Sequence, residues 1–513
     1  MKTTVGRLLG YSVLLATAAL AAAIPPAPPT PAGNTVNVVQ GVTIADPYRW
    51  LENWSDRKVV AWSDAQNARA RGYLDALPGR NKVKSGLTEL IKASSPSYSQ
   101  LVARGAHVFA IYSDPNFQQP LLVTLDASAD PASRKAVLDP NLLDARGLTA
   151  IDWFVPFDDG SKVAVSLSKN GSEDGTLHIY EVATAREIET PIPRVQYPTA
   201  GGSFAWAADG KGFWYTRYPG GDAPEADRHF NMQVYFHRLG SNPKNDALAL
   251  GTKDGLERVS EVFLDNRFNR PAIMAMVQRG DGNIWTFYVL REGDRPVQIG
   301  AYRDNIVFAT IGPDDAVYAI SRDHASNGKI LKLKPPFSKE ALAKAAVIVP
   351  ESDVAILAGG AENRESDLNF SRTLMFVRDI VGGPNQVRVF DLDGKPMGRL
   401  PLPDIAGRWM GTWSGYGVIA RRTSKAEAEF IQAGRWGWGR LVLADTLAAD
   451  VPVIVSYRGA LGVPVVFDVF QTSIVVKHEA GGGHLTAIFK IDGDRLVGML
   501  RGHATLIVLA RQR

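Results

Sequence analysis

Cysteine is absent from all 513 residues, which removes disulfides, thiolate metal sites and a cysteine nucleophile together. Stability must then rest on a hydrophobic core, and a chain of this length with 45% hydrophobic residues can bury one. Blocks of like charge are missing as well. The formal net charge is +4 and basic residues are interleaved with acidic ones, so the footprint of a nucleic-acid binder is not there. No His-Glu-x-x-His occurs, and Gly481, Gly482 and Gly483 lead into His484 rather than the Lys-Ser or Lys-Thr of a phosphate loop. Neither metal nor cofactor is expected. Most consequential, no serine stands in Gly-x-Ser-x-Gly, the sharp turn that presents a hydrolase nucleophile.

The first 23 residues read as a secretory signal. Lys2 and Arg7 form the charged start, residues 8–20 the apolar middle, and Ala19-Leu20-Ala21 or Ala21-Ala22-Ala23 a small-residue cleavage site. A retained membrane anchor is the competing reading, but the run is short for a spanning helix. Pro25, Pro26, Pro28, Pro29 and Pro31 follow at once, marking 24–34 as an extended tether. With no disulfides, the expectation is a periplasmic or secreted protein without lasting membrane insertion.

Residues 35–96 read as a short helical segment. Ser55 or Asp56 caps a helix reaching about Leu77, Pro78-Gly79 ends it, and a second helix covers about 81–92. From about Tyr98 the period changes to that of strands. Turns such as Asp159-Gly160, Asp209-Gly210 and Asp314-Asp315 recur roughly every fifty residues, implying units of about four strands. Sheets with two apolar faces need neighbours on both sides, as in a β-propeller, and a β-sandwich pair explains the long regular period less well. Blades are expected to begin near Tyr98, Ala150, Ser203, Val259, Asn305 and Asp367, with a seventh from about Gly407 if the ring closes. The expected division is a mainly β, seven-bladed propeller over 97–446 and a strand-rich tail over 447–513.

Several stretches occur in an ordered set: Asp46-Pro47-Tyr48-Arg49-Trp50-Leu51-Glu52, Ala65-Gln66-Asn67, Ala205-Trp206-Ala207-Ala208-Asp209-Gly210, Asp227-Arg228-His229-Phe230-Asn231, and Gln233-Val234-Tyr235-Phe236-His237-Arg238-Leu239-Gly240. That set resembles the prolyl oligopeptidase family of serine peptidases, from about residue 36 to 404. The resemblance implies a seven-bladed propeller over an α/β-hydrolase domain, short peptides as substrates, and cleavage after proline. It also implies that the amino-terminal helices pack on the hydrolase.

The family's chemistry has no match here. Ser203, in Gly-Gly-Ser-Phe-Ala, opens a blade, and Ser414 has Thr412 where glycine is needed. His107, His178, His229, His237 and His324 fall within the propeller. Only His478, His484 and His503 come late enough for a catalytic base, and His484, expected on a mobile loop, has none of the family's surroundings. An α/β-hydrolase domain takes about 200–250 residues, and too few follow Asp404. The carboxylate pairs Asp158-Asp159 and Asp314-Asp315 read as turn formers. No catalytic, cofactor or metal residue is therefore assigned, and the chain is expected to be inactive alone. A missing hydrolase would leave Trp50, Trp54 and Trp62 as a face for a partner; the alternative is a stand-alone propeller binding peptides or a protein.

After Ala406 the resemblance stops. Trp409, Trp413, Trp436 and Trp438 crowd among glycines and arginines, either a ligand surface or an aromatic core beneath solvated charges. A shifted reading frame in GC-rich DNA yields this composition, and translating the other frames downstream of Ala406 tests that. Equally, strands at 451–457, 463–476, 485–491, 496–500 and 504–509 could build a last blade or a small appended sheet. Both readings stay open on the sequence.

Overall fold

Among the described residues, six antiparallel sheets of four or five strands follow one another between residues 97 and 399, and eight strands form a closed barrel between 407 and 511. The computed structural model describes residues 24–512 apart from 94, 197–201, 221–222, 225–226, 229, 260, 281, 359–367, 381–384, 401, 415–422, 444–462, 471, 481–482 and 502–504. The expected signal segment, the strand at 451–457, His229 and His503 lie outside the described residues. By contact the chain divides into two units, residues up to 97 with 113–118, and 98–112 with 119–513.

In the first unit a hairpin of Val36–Val39 and Val42–Ala45 precedes two helices, Arg57–Leu74 and Arg80–Lys92. Asp56 caps the first by accepting from the Lys58 amide. The proline-rich stretch is held rather than free. Trp50 Nε1 donates to Pro31 O (2.9 Å), Trp62 Nε1 to Thr30 Oγ1 (3.0 Å) and Arg69 Nε to Pro25 O (2.6 Å). A run of prolines lacks amide donors but keeps its carbonyls, which the indoles and guanidinium find. The expectation of a tether over 24–34 is corrected accordingly.

Sheets begin at 97, 149, 204, 261, 306 and 355, close to the expected starts. The sixth differs most: the short strand Ala355–Ile356 comes before the expected Asp367 and pairs with the same strand as Leu368–Phe370. Middle strands are buried on both faces; Ala272–Gln278 and Val317–Ser321 are buried at every position. Such strands need a cover on each side. Phe109, Leu122, Val163 and Tyr180 join the first sheet to the second, and Trp153, Ile179, Trp206 and Phe213 the second to the third. Trp214, Val234, Ile273 and Tyr288 join the third to the fourth, while Phe287, Tyr318 and Val377 run on from fourth to sixth. Turn chemistry sets the register. Asp159 accepts from the Ser161 amide (2.7 Å), and Gly160 has a positive φ with Arg104 O only 2.7 Å from where a Cβ would stand.

Beyond residue 407 the pattern changes from two buried faces to one. Ser424–Ala433 and Arg495–Leu500 alternate between buried and accessible positions, and each strand pairs with the next until Leu506–Arg511 closes on Gly407–Ser414. A single apolar face is satisfied by curling the sheet on itself. The interior is filled by Trp409, Trp413, Phe430, Phe467 and Phe489. The expected seventh blade is therefore a barrel, and the expected boundary between 446 and 447 falls inside it. Strand 463–476 is in fact two, Val463–Val469 and Ser473–Ala480.

Candidate functional site

Ser203 stands just before the first strand of the third sheet, not at a strand-to-helix turn. It is buried, its Oγ accepts from the Leu264 amide (2.8 Å), and its own amide donates to Thr216 Oγ1 (2.7 Å). The hydroxyl fastens the third sheet to the fourth. Ser414 ends the first barrel strand opposite Leu506. Neither is paired with a histidine among the described hydrogen bonds.

The histidines stand in separate settings. His178 Nδ1 lies 2.6 Å from Glu187 and His478 Nδ1 2.6 Å from Pro464 O, His107 meets Phe109 edge to face, and His324 is exposed. His484, expected on a mobile loop, instead belongs to the strand Gly483–Asp492. That correction has a local cause: Gly483 to Ala480 and His484 to Glu479 are in register as the hairpin's first pairs.

One histidine is buried among acids. His237 Nδ1 is 2.8 Å from Asp246 and Nε2 3.5 Å from Glu189, while Tyr215 donates to the other Asp246 oxygen (2.8 Å) and the Gly240 amide to Glu189 (2.6 Å). Burial works against charge on this imidazole, but hydrogen bonds and charges from Asp246 and Glu189 outweigh it and raise its pKa. With both ring nitrogens facing carboxylates it has no lone pair to act as a base. Its role is to tie the second sheet to the third. Because the folded pKa is raised, the stability His237 contributes is fully present below its unfolded value of about 6.5 and is lost as pH rises through the folded value. Urea midpoints measured across pH should show this decline in the parent chain, and His237→Gln should remove that component; identical profiles would exclude the role.

Lys332 is a second junction invisible in the sequence. Its ammonium reaches Asp314 (2.9 Å), Asp393 (2.8 Å) and Leu392 O (2.8 Å), and Tyr318 donates to Asp314 (3.0 Å). Burial opposes the charge, yet the carboxylates carry its pKa above the ordinary lysine value. Asp314, read as a turn former, thus also holds Lys332 within the fifth sheet, while Lys332 through Asp393 and Leu392 ties that sheet to the sixth. Asp159 keeps the turn role expected of it. No group of three or more His, Asp or Glu among the described residues is placed to hold a metal.

The remaining candidate is a surface. Trp50 and Trp62 meet edge to face at 6.2 Å, turned toward one another rather than outward, whereas Trp54 is 66% exposed. A groove of about 670 Å³ lies along the second helix, lined by Leu74, Leu77, Val83, Leu87 and Ile91. Of the three expected tryptophans only Trp54 is presented to solvent; helix 80–92 supplies more apolar surface, its Leu90 and Ile91 being exposed.

Residues 28–416 match the model of the prolyl oligopeptidase N-terminal beta-propeller domain. Prolyl endopeptidase of Elizabethkingia meningoseptica is 24% identical over 388 residues, covering 74% of this chain and 50% of that protein. Prolyl endopeptidase of Elizabethkingia miricola is 28% identical over 235 residues, 44% of this chain and 31% of that one. The chain spans half the length, or less, of these curated relatives. Among solved structures, one from a mechanistic study of two prolyl endopeptidases superposes with a TM-score of 0.61 at 19% identity, over 91% of this chain and 64% of that one. Prolyl oligopeptidase B from Galerina marginata bound to a 35mer superposes with a TM-score of 0.57 at 16% identity, over 90% and 64%. At these identities the superpositions speak for fold.

Proposed function

Because the chain belongs to the prolyl oligopeptidase family, we propose that it is a peptide-gating propeller without peptidase activity of its own. The observation that carries this reading is the lack of an assembled nucleophile and base among the described residues. No serine has the Gly-x-Ser-x-Gly setting, Ser203 is spent on a backbone amide, and His237 faces carboxylates through both ring nitrogens. Acyl transfer needs a hydroxyl, a free imidazole nitrogen and oxyanion donors within reach of one carbonyl. What remains is a scaffold of stacked sheets that selects short peptides by size.

The exposed groove along helix 80–92, together with Trp54, favours a second element to this reading: a hydrolase domain supplied by another chain docks there and completes the enzyme. Large apolar surfaces of that kind mark interaction sites. Export to the periplasm or beyond is part of the same proposal and is supported only by the charged and apolar pattern of residues 1–23.

The test is turnover of a chromogenic peptide with proline before the scissile bond. The purified 513-residue chain is expected to give no rate above buffer, and activity that follows the protein through successive columns would sink the proposal. Binding of the same peptide, measured by calorimetry, separates a gating propeller from one that recognises only a protein.

A further inference from the structure

The crowded tryptophans divide between two environments. Trp409 and Trp413 are 0% and 2% exposed inside the barrel, whereas Trp436 and Trp438 are 42% and 43% exposed on its outside, their rings 5.2 Å apart. The intervening glycine explains the split. Gly437 points inward, where a Cβ would come within 2.0 Å of Phe467 Cζ, so a Trp-Gly-Trp strand gives its interior to Phe467 and turns both indoles to solvent.

These indoles begin an apolar belt. Trp438 stands opposite Val466, and Trp436 opposite Asp468, which is opposite Val475. Val475 pairs with Ile488 and Ile488 with Met499, while the Gly498–Ile507 pair brings Met499 beside Leu506. Val466, Ile488, Met499 and Leu506 are all exposed. The belt crosses the strands from Trp436–Leu443 to Leu506–Arg511. On the described positions of these strands the exposed outward charges are Lys477, Lys490 and Arg495 against Asp492, with Asp468 half-buried, and Asp492 stands opposite Arg495. Over residues 407–513 there are 13 Lys and Arg against 8 Asp and Glu, an excess of five positive charges, although the whole chain carries only +4.

We propose that this outer face of the barrel docks peripherally on an anionic lipid surface, a role beyond peptide gating. Tryptophan side chains favour the boundary between headgroup and acyl chain, and neighbouring lysines gain from anionic headgroups. A convex belt suits a deformable bilayer better than a rigid protein, which would need a matching groove. The hydrophobic interior belongs to the barrel's own core, so the contact proposed is with its outer face.

Sedimentation of the full chain with vesicles tests this, using phosphatidylcholine alone or mixed with phosphatidylglycerol. The expected result is binding to the mixed vesicles that falls as salt rises. Trp436→Ser with Trp438→Ser should weaken it about tenfold or more, as should Lys477→Glu with Lys490→Glu. Both variant pairs change exposed positions, so circular dichroism should match the parent. No binding to the mixed vesicles, or binding that neither variant pair alters, overturns the proposal. A concentration-dependent dimer that Trp438→Ser disperses, with no vesicle binding, assigns the belt to a second copy instead.

Discussion

Replacing Asp379 by alanine is expected to lower the stability of the chain by about 3–5 kcal/mol. Asp379 is fully buried in the sixth sheet, and the Arg388 guanidinium grips it with two hydrogen bonds, Nε to Oδ2 at 2.7 Å and Nη2 to Oδ1 at 2.8 Å. The two residues sit on adjacent antiparallel strands, Asp379 opposite Gln386 and Arg388 opposite Val377, so the fork reaches across a diagonal. Removing the carboxylate leaves a largely buried cation without its partner. The cost comes from that stranded charge more than from the lost pair. Asp379→Leu with Arg388→Met, which removes both charges and keeps volume, should therefore recover most of the loss. Urea midpoints of the three proteins decide the matter. If the single variant unfolds with the parent, the pair is not structural; if the double variant is as weak as the single, desolvation is not the cause.

Trp409→Ala should cost a similar amount, about 3–5 kcal/mol, from the cavity left in the barrel. The indole is fully buried, donates to Ile405 O (2.9 Å) and lies under the Arg511 guanidinium at 4.8 Å. Its loss removes packing around Phe430 and Phe467 and leaves the Ile405 carbonyl without that donor. The control is Trp438→Ala, in the same tryptophan-rich stretch but outside the barrel, where the change should stay within about 0.5 kcal/mol. Near-ultraviolet circular dichroism with denaturant titration separates the two. Equal losses at both positions would contradict the closed barrel, because only closure makes one tryptophan interior and the other exterior.

The blades were legible because their signals are local. Asp159-Gly160 and Asp209-Gly210 carry turn chemistry in two adjacent residues, and apolar runs such as 272–278 and 317–321 announce sheets covered on both faces. The fifth and sixth sheets show where that stops. Lys332 reads as an ordinary strand lysine, yet its partners Asp314 and Asp393 come from separate turns, and no spacing rule connects them. His237 gave no sign of burial between Asp246 and Glu189, because Glu189 lies in a loop between two strands of the preceding sheet. Trp50 and Trp62 looked available to a partner, but the backbone of the proline-rich stretch and their own ring contact already engage them.

By itself the sequence determined the family and the starts of the blades, and it also showed the want of a nucleophile elbow. Each of these is written in residues that are neighbours in the chain. Tertiary structure decided the fate of the described strands after residue 406. Strand Gly407–Ser414 meets Leu506–Arg511 from about a hundred positions away, and that one pairing turns a string of alternating strands into a barrel. It also sends two tryptophans inward and two outward, since a closed sheet has an inside that periodicity along a single strand cannot identify.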